Sequence, residues 1–453
     1  MLTDICSCET SLTDRKALAA WNGVVLGVLS HGQATGDHLT NLIAWEPDFA
    51  MGHAMKGLAC LMLGRRELIE TAASASSIAQ NKLALGGATD RERLWCAALQ
   101  DWLAGQPSAA IVRMEDAMRL NPADTISMKL SHGIRFMLGD NHGMLRSVER
   151  VISAHGPDHA LYGYALGCQA FALEETGDYE KAERIGLRGL QFAADDAWGL
   201  HAVAHVYDMT RLTAQGIALI DHNINAWSHC NNFRFHVWWH KALLHLDQGD
   251  IETALQLYDT KVRDEKTDDY RDFSNASSLL MRLEIEGVEV GDRWTELADL
   301  AEKRTDDGCL TFADMHYMLA LIGETRPDAV ARMNARVAVS AQAKDEMAHV
   351  MTNPGIATAE GLAAFGDANY DRAFSHLKAA QPHFQAMGGS HAQRDIFERL
   401  TIEAGLRAGR LTETQTLLRA RTSLRDEQAD RFAESRMARI ADLQSYTAST
   451  AAE

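Results

Sequence analysis

Two histidines four residues apart, with an aspartate three further on, stand in "HAVAHVYDM", residues 201–209. On a helix, residues four and seven apart share a face, so His201, His205 and Asp208 point the same way. "FHVWWH" repeats the spacing with His236 and His240. Imidazole and carboxylate at this spacing can bind zinc or iron, or exchange protons near neutral pH. They can also be packing histidines with satisfied hydrogen bonds. Seven of the nineteen histidines fall between 201 and 245, an enrichment that favours a site. The metal reading takes His201, His205, Asp208 and His236 as ligands of a divalent ion. The residue after His201 is Ala202, so the built-in general base of the His-Glu-x-x-His class is missing, and Glu174 or Asp208 would have to serve.

A second constellation lies in "MGGSHAQRDIFERL", residues 387–400. A glycine pair leads into Ser390, a natural helix cap. His391, Arg394 and Asp395 follow within the first turns, three and four residues apart. The helix N-terminus and Arg394 suit an anion, with Asp395 orienting His391 as acid or base. A capped helix with an internal His–Asp pair is the plain alternative. "LTFADMHYMLALIG" adds Asp314 and His316. Two apart is the wrong spacing for one helix face, so one is expected to cap and the other to enter a pocket.

These residues sit within internal repeats. "RLWCAALQDWLAGQPSAAIVRMEDAMRLNP" carries Ala98, Gly105, Ala110, Ala117 and Pro122 at the small-residue, turn and closing positions of a tetratricopeptide unit. Later units repeat the offsets with Ala170, Gly177 and Ala182, then Ala204 and Gly216, then Ala242, Gly249 and Ala254, and again around Gly361 and Ala373. Small residues are needed where two helices cross closely. The predicted fold is all-α: an α-solenoid of tetratricopeptide-like helix–turn–helix repeats curled into a superhelix. The repeats are expected to form a single domain over 1–453, with N-terminal helices at 1–90, the best-matching repeats at 91–260 and C-terminal repeats at 261–453. The charged stretch 261–273 is expected to be a loop.

Register then sorts the side chains. With Ala204 at the eighth position of its first helix, Leu200, Val203 and Tyr207 pack, while Trp198, His201, His205 and Asp208 face the groove. The same offsets put His236 and Trp239 on the groove and His240 at its edge, and Tyr164 and Glu174 on the preceding helix. His245 falls at a packing position.

Acidic residues number 62 against 44 basic, a formal net charge of −18, which argues against a nucleic-acid surface. No apolar run reaches the roughly 18 residues of a membrane span, and the N-terminus does not read as a signal peptide. Seven scattered cysteines fit a reducing cytoplasm. Cys6 and Cys8 are expected at a frayed terminus.

The combination "HAVAHVYDM", "HVWWHKALLHLDQGDIETALQLYD", "FADMHYMLALIG" and "GGSHAQRDIFERL" resembles the tetratricopeptide repeat protein 38 family. The resemblance runs from "MGHAMKGL" near residue 51 to the C-terminal helices. It covers His201, His205, His236, His240, Asp314, His316, His391, Arg394 and Asp395. It implies an all-helical repeat fold in a soluble protein, and no settled reaction. Arg211 departs from the turn glycine of the repeat pattern.

The leading expectation is an enclosed polar pocket for a small polar or anionic metabolite. His201, His205, Asp208, His236, His391 and Asp395 are its acid–base candidates. Glu174, Tyr164, Trp198, Trp239, His240, Asp314, His316 and Arg394 are its lining. That pocket requires His205 and His391 to lie within about two helix diameters, ~20 Å. The rival is an interaction scaffold that takes a peptide in its groove. A third reading is a metal-dependent hydrolase or oxygenase using the paired histidines. Exposed repeat ends make a homodimer an expected assembly.

Overall fold

A computed structural model describes residues 1–450. They form an all-α, tetratricopeptide-like helical-repeat protein, in which consecutive helices pack as pairs across short turns. Asp90–Leu103 packs on Pro107–Leu120, Tyr162–Glu174 on Tyr179–Phe192, and Ile356–Gly366 on Tyr370–Ala380. The alanines at the repeat offsets (Ala98, Ala110, Ala117, Ala170, Ala182, Ala204, Ala242, Ala254 and Ala373) are all buried. Gly216 shows why they are small: a Cβ there would lie 2.8 Å from Leu244 Cδ1.

The turns follow from a Gly-Asp pair. Gly177 and Gly249 take left-handed φ values of 86° and 81°, which side chains resist. The aspartate after each then caps the next helix, Asp178 accepting from the Lys181 N–H and Asp250 from the Thr253 N–H. Arg211 occupies the equivalent turn at φ 59°, so this turn keeps the glycine geometry without the glycine. His245, at its packing position, bonds Asp250 at 3.0 Å. In the charged stretch, the helix Ile251–Leu257 loosens into the wider turn Tyr258–Val262, and regular structure resumes only at Tyr270–Ile285.

The N-terminus differs from the frayed end expected. Leu2–Thr3 pairs antiparallel with Glu9–Thr10, and Cys6 and Cys8 are buried. Asp4 is the reason: its carboxylate accepts from the backbone N–H groups of Cys6 and Cys8, from Trp21 Nε1 at 2.9 Å and from Arg91 at 2.6 Å. Burial pushes both thiols well up, which makes them poor nucleophiles.

The chain divides into two compact units. The first comprises Met1–Val203, His222–Arg234 and Lys344–Met347; the second Ala204–Asp221, Phe235–Ala343 and the described residues from Ala348 onward. The division falls inside the helix Ala197–Met209, so His201 belongs to the first unit and His205 to the second. Trp21 centres one core of the first unit, with Phe49 and Trp95 edge-on at 5.7 and 5.9 Å. Trp239, Phe273, Trp294, Phe397 and Phe432 are fully buried in the second. Among the described residues, no helix is long and apolar enough to cross a membrane.

Candidate metal centre

The second unit brings His205, His236, His240 and His391 together. His236 and His240 stand one turn apart on the helix Phe233–Gln248, so their rings share a face. His391 opens the helix His391–Arg407, where Ser390 and Gln393 form a reciprocal capping box. The two glycines before it, at φ 82° and 76°, turn the chain into that cap. A Cβ on Gly389 would fall 2.5 Å from the Phe312 ring. The rings of His205 and His391 are 5.0 Å apart, well inside the limit set for one site.

Three ring nitrogens converge. His240 Nε2 lies 3.0 Å from His205 Nε2 and 3.1 Å from His236 Nε2. The donor atoms of the three histidines are all within 4.8 Å of one another. On its other side, His236 Nδ1 donates to Asn275 Oδ1 at 2.9 Å, which leaves a lone pair on its Nε2. An imidazole nitrogen carries a hydrogen or a lone pair, never both. His240 Nε2 can therefore make one good hydrogen bond to these neighbours, not two. Imidazole nitrogens gathered at this spacing are a donor set that a transition-metal ion would fit. Burial pushes His236 down to about 3 and His240 well below its usual range, so both are neutral, the form that binds metal.

Around this centre runs a buried charge network. Asp395 accepts from Arg399 Nε and Arg421 Nε, both at 2.6 Å, and lies 3.8 Å from Arg282. Burial alone would raise its carboxyl, but Arg399 and Arg421 outweigh it and hold the group well below the carboxylate range. Both oxygens of Asp395 thus accept from arginine. Arg421 continues to Asp430 at 2.7 and 2.9 Å. Asp208 pairs with Arg425 at 3.0 Å. Arg394 donates to the Gly389 carbonyl, holding the glycine turn. Arg282 donates to the carbonyls of Ser278 and Ala392 at 3.1 and 2.7 Å and sits 5.6 Å over the Trp239 ring.

Asp314 and His316 leave their helix in different directions. Asp314 pairs with Arg336 at 2.7 Å, and burial raises its carboxyl to about 6. His316 Nδ1 donates to the Phe312 carbonyl at 2.8 Å, and its ring packs 5.1 Å from Phe397. Neither caps the helix: the cap position is Leu310.

The first unit places the remaining candidates in an aromatic cluster. His201 stacks on Phe171 at 5.4 Å and 18°. Trp198 lies 5.2 Å from His201, donates through Nε1 to His132 Nε2 at 3.2 Å, and carries Lys129 Nζ 4.3 Å over its ring. Tyr164 donates to Asp195 at 2.7 Å, and Glu174 is buried at the end of its helix. Asn275, Arg282, Arg421 and Asp430 escaped the reading of the sequence. A signal for the first two was present: "SNASSLLMR" carries five polar side chains, Ser274, Asn275, Ser277, Ser278 and Arg282, on a helix whose residues 272–283 are all buried.

No family model matches the chain. Similar solved structures include a chain of the Naa15/Naa10 complex bound to HypK-THB, at 11% identity and TM-score 0.25, covering 91% of this chain and 64% of that one. Another is the TPR domain of P58(IPK), at 13% identity and TM-score 0.23, covering 79% of this chain and 99% of that one. This chain thus spans less than two thirds of the first. Likeness of that size carries no weight for function; the helical-repeat class rests on the paired helices themselves.

Proposed function

We propose that the protein is a helical-repeat metalloprotein whose second unit binds a divalent transition-metal ion through the Nε2 atoms of His205, His236 and His240. The observation that carries this reading is the meeting of three ring nitrogens around His240 Nε2, at the mutual spacing of metal ligands. Three imidazole ligands would leave a coordination position open, the donor set of centres that activate water. His391 is near enough to exchange a proton there. The reaction class that this arrangement supports is hydrolytic. Asp208, a ligand candidate in the sequence, is spoken for by Arg425. Seven free cysteines among the described residues suit a reducing compartment such as the cytoplasm.

The test is metal content of the purified chain by plasma mass spectrometry, beside His240→Ala. About one zinc, iron, cobalt or manganese per chain, lost in the variant, supports the centre. A metal-free wild type after incubation with each ion ends it.

A peptide-binding scaffold remains a second reading because of the first unit. There His53, Lys56, Glu70, Thr71, Ser74, Ala75 and Ile78 line an open cavity of ≈ 260 Å³ between the helices Ala50–Met62 and Glu67–Ala84. It predicts that Lys56→Glu abolishes binding of a co-purifying peptide partner while metal content stays unchanged.

A further inference from the structure

Two buried N–H groups beside the three-histidine centre have no acceptor among the described residues: Trp239 Nε1 and Asn275 Nδ2. Both residues touch the centre directly. The Trp239 ring stacks on His236 at 5.2 Å and 21°, and lies 4.7 Å from the His240 ring. Asn275 holds His236 through its other amide atom, Oδ1. Trp239 is 0% and Asn275 1% exposed, so bulk water does not serve either donor. Burying an unmet N–H costs about 1–3 kcal/mol, and native proteins rarely tolerate one without a reason.

The neighbourhood also has a sign. Arg282 lies 5.6 Å over the Trp239 ring. A divalent ion held by the three imidazoles would add two more positive charges. Donors and cations together select an oxygen that is both acceptor and anion. The centre is closed in, with Trp239, His236, His240 and Asn275 all buried, so the occupant is small.

We infer that the centre takes a small monovalent oxyanion, one oxygen on the metal, with Trp239 Nε1–H and Asn275 Nδ2–H donating to it. This rests on the metal reading above. Asn275 then has two roles: Oδ1 sets the tautomer of His236, and Nδ2 binds the ligand. Trp239 acts through its N–H and not only through its ring.

The experiment uses full-length protein loaded with cobalt(II), titrated with formate and followed by the visible d–d absorption of the metal. Trp239→Phe keeps the ring and removes the donor. Asn275→Asp keeps an acceptor for His236 and removes the amide donor. Metal stoichiometry and circular dichroism are checked first on each. The expected result is a formate-dependent spectral change in wild type, with the dissociation constant raised about tenfold or more in Trp239→Phe and in Asn275→Asp at unchanged cobalt content. Wild type that holds cobalt but shows no response to formate overturns the oxyanion site and leaves the metal centre standing. So does equal formate affinity in wild type and both variants. Wild type that binds no cobalt overturns both.

Discussion

The two units bury histidine in opposite ways. In the first, rings meet aromatic faces: Trp198 Nε1–H donates to His132 Nε2, and His201 stacks on Phe171. In the second, nitrogens meet nitrogens: His205 and His236 both approach His240 Nε2. His201 and His205 stand one turn apart on the same helix, so helix position does not separate the two outcomes. What differs is the neighbour. A histidine beside Trp and Phe offers its ring to other rings. A histidine beside other histidines brings nitrogen to nitrogen, the arrangement on which the proposed metal centre rests.

The strongest way to break this comparison is to exchange one histidine from each unit. His236→Leu is expected to weaken metal binding about 100-fold or more, since losing even an outer partner costs 10–100-fold. His132→Leu should leave the metal content at the wild-type value. Equal metal content in both variants, measured by plasma mass spectrometry, would erase the distinction. On stability, Asp430→Ala is expected to be the most damaging change. It strips Arg421 and Arg399 of a buried carboxylate, a class of loss worth about 3–5 kcal/mol. Buried Asp430 would by burial alone have a raised carboxyl, but Arg421, Arg399 and Arg425 hold it far below the usual range. Its folded-state value is depressed, so its contribution is full above about pH 5 and fades as pH falls toward the folded value. The gap in melting temperature between wild type and Asp430→Ala should therefore close in acid. A gap that widens there would contradict the network.

The first unit offers the opposite pH sign. Burial raises Asp196 to about 7 despite Lys129 nearby. A raised carboxyl means that stability is lost as pH climbs from about 4 to 7, then levels off. Asp196→Asn keeps an oxygen to accept from the Trp198 N–H. Its melting temperature should exceed wild type at pH 8 and converge with it near pH 4. His132→Leu comes next, at about 1–3 kcal/mol, because it leaves the Trp198 N–H without an acceptor. Ser390→Ala should have the smallest effect, about 1 kcal/mol, by opening the capping box. Thermal unfolding orders these two, and metal affinity should fall modestly in Ser390→Ala alone, because only that cap adjoins His391.

Much of this protein is written locally. Glycine before aspartate sets a left-handed turn and then a cap, so the pairs around Gly177–Asp178 and Gly249–Asp250 follow from neighbouring residues. Helical periodicity places His236 and His240 on one face, and alanine at the crossing positions declares which face is buried. These are effects within a few residues, and the chain carries them by itself. Contacts between distant helices are another matter. His205 meets His240 across 35 residues, His236 meets Asn275 across 39, and Arg282 reaches Ala392 across 110. Asp395 has the helical spacing to serve His391, and its oxygens also take Arg399, four residues on, and Arg421, twenty-six residues on, which spacing alone does not announce. Spacing decides which side chains share a face. The packing of helices against each other decides what that face meets, and so which partners a histidine is given.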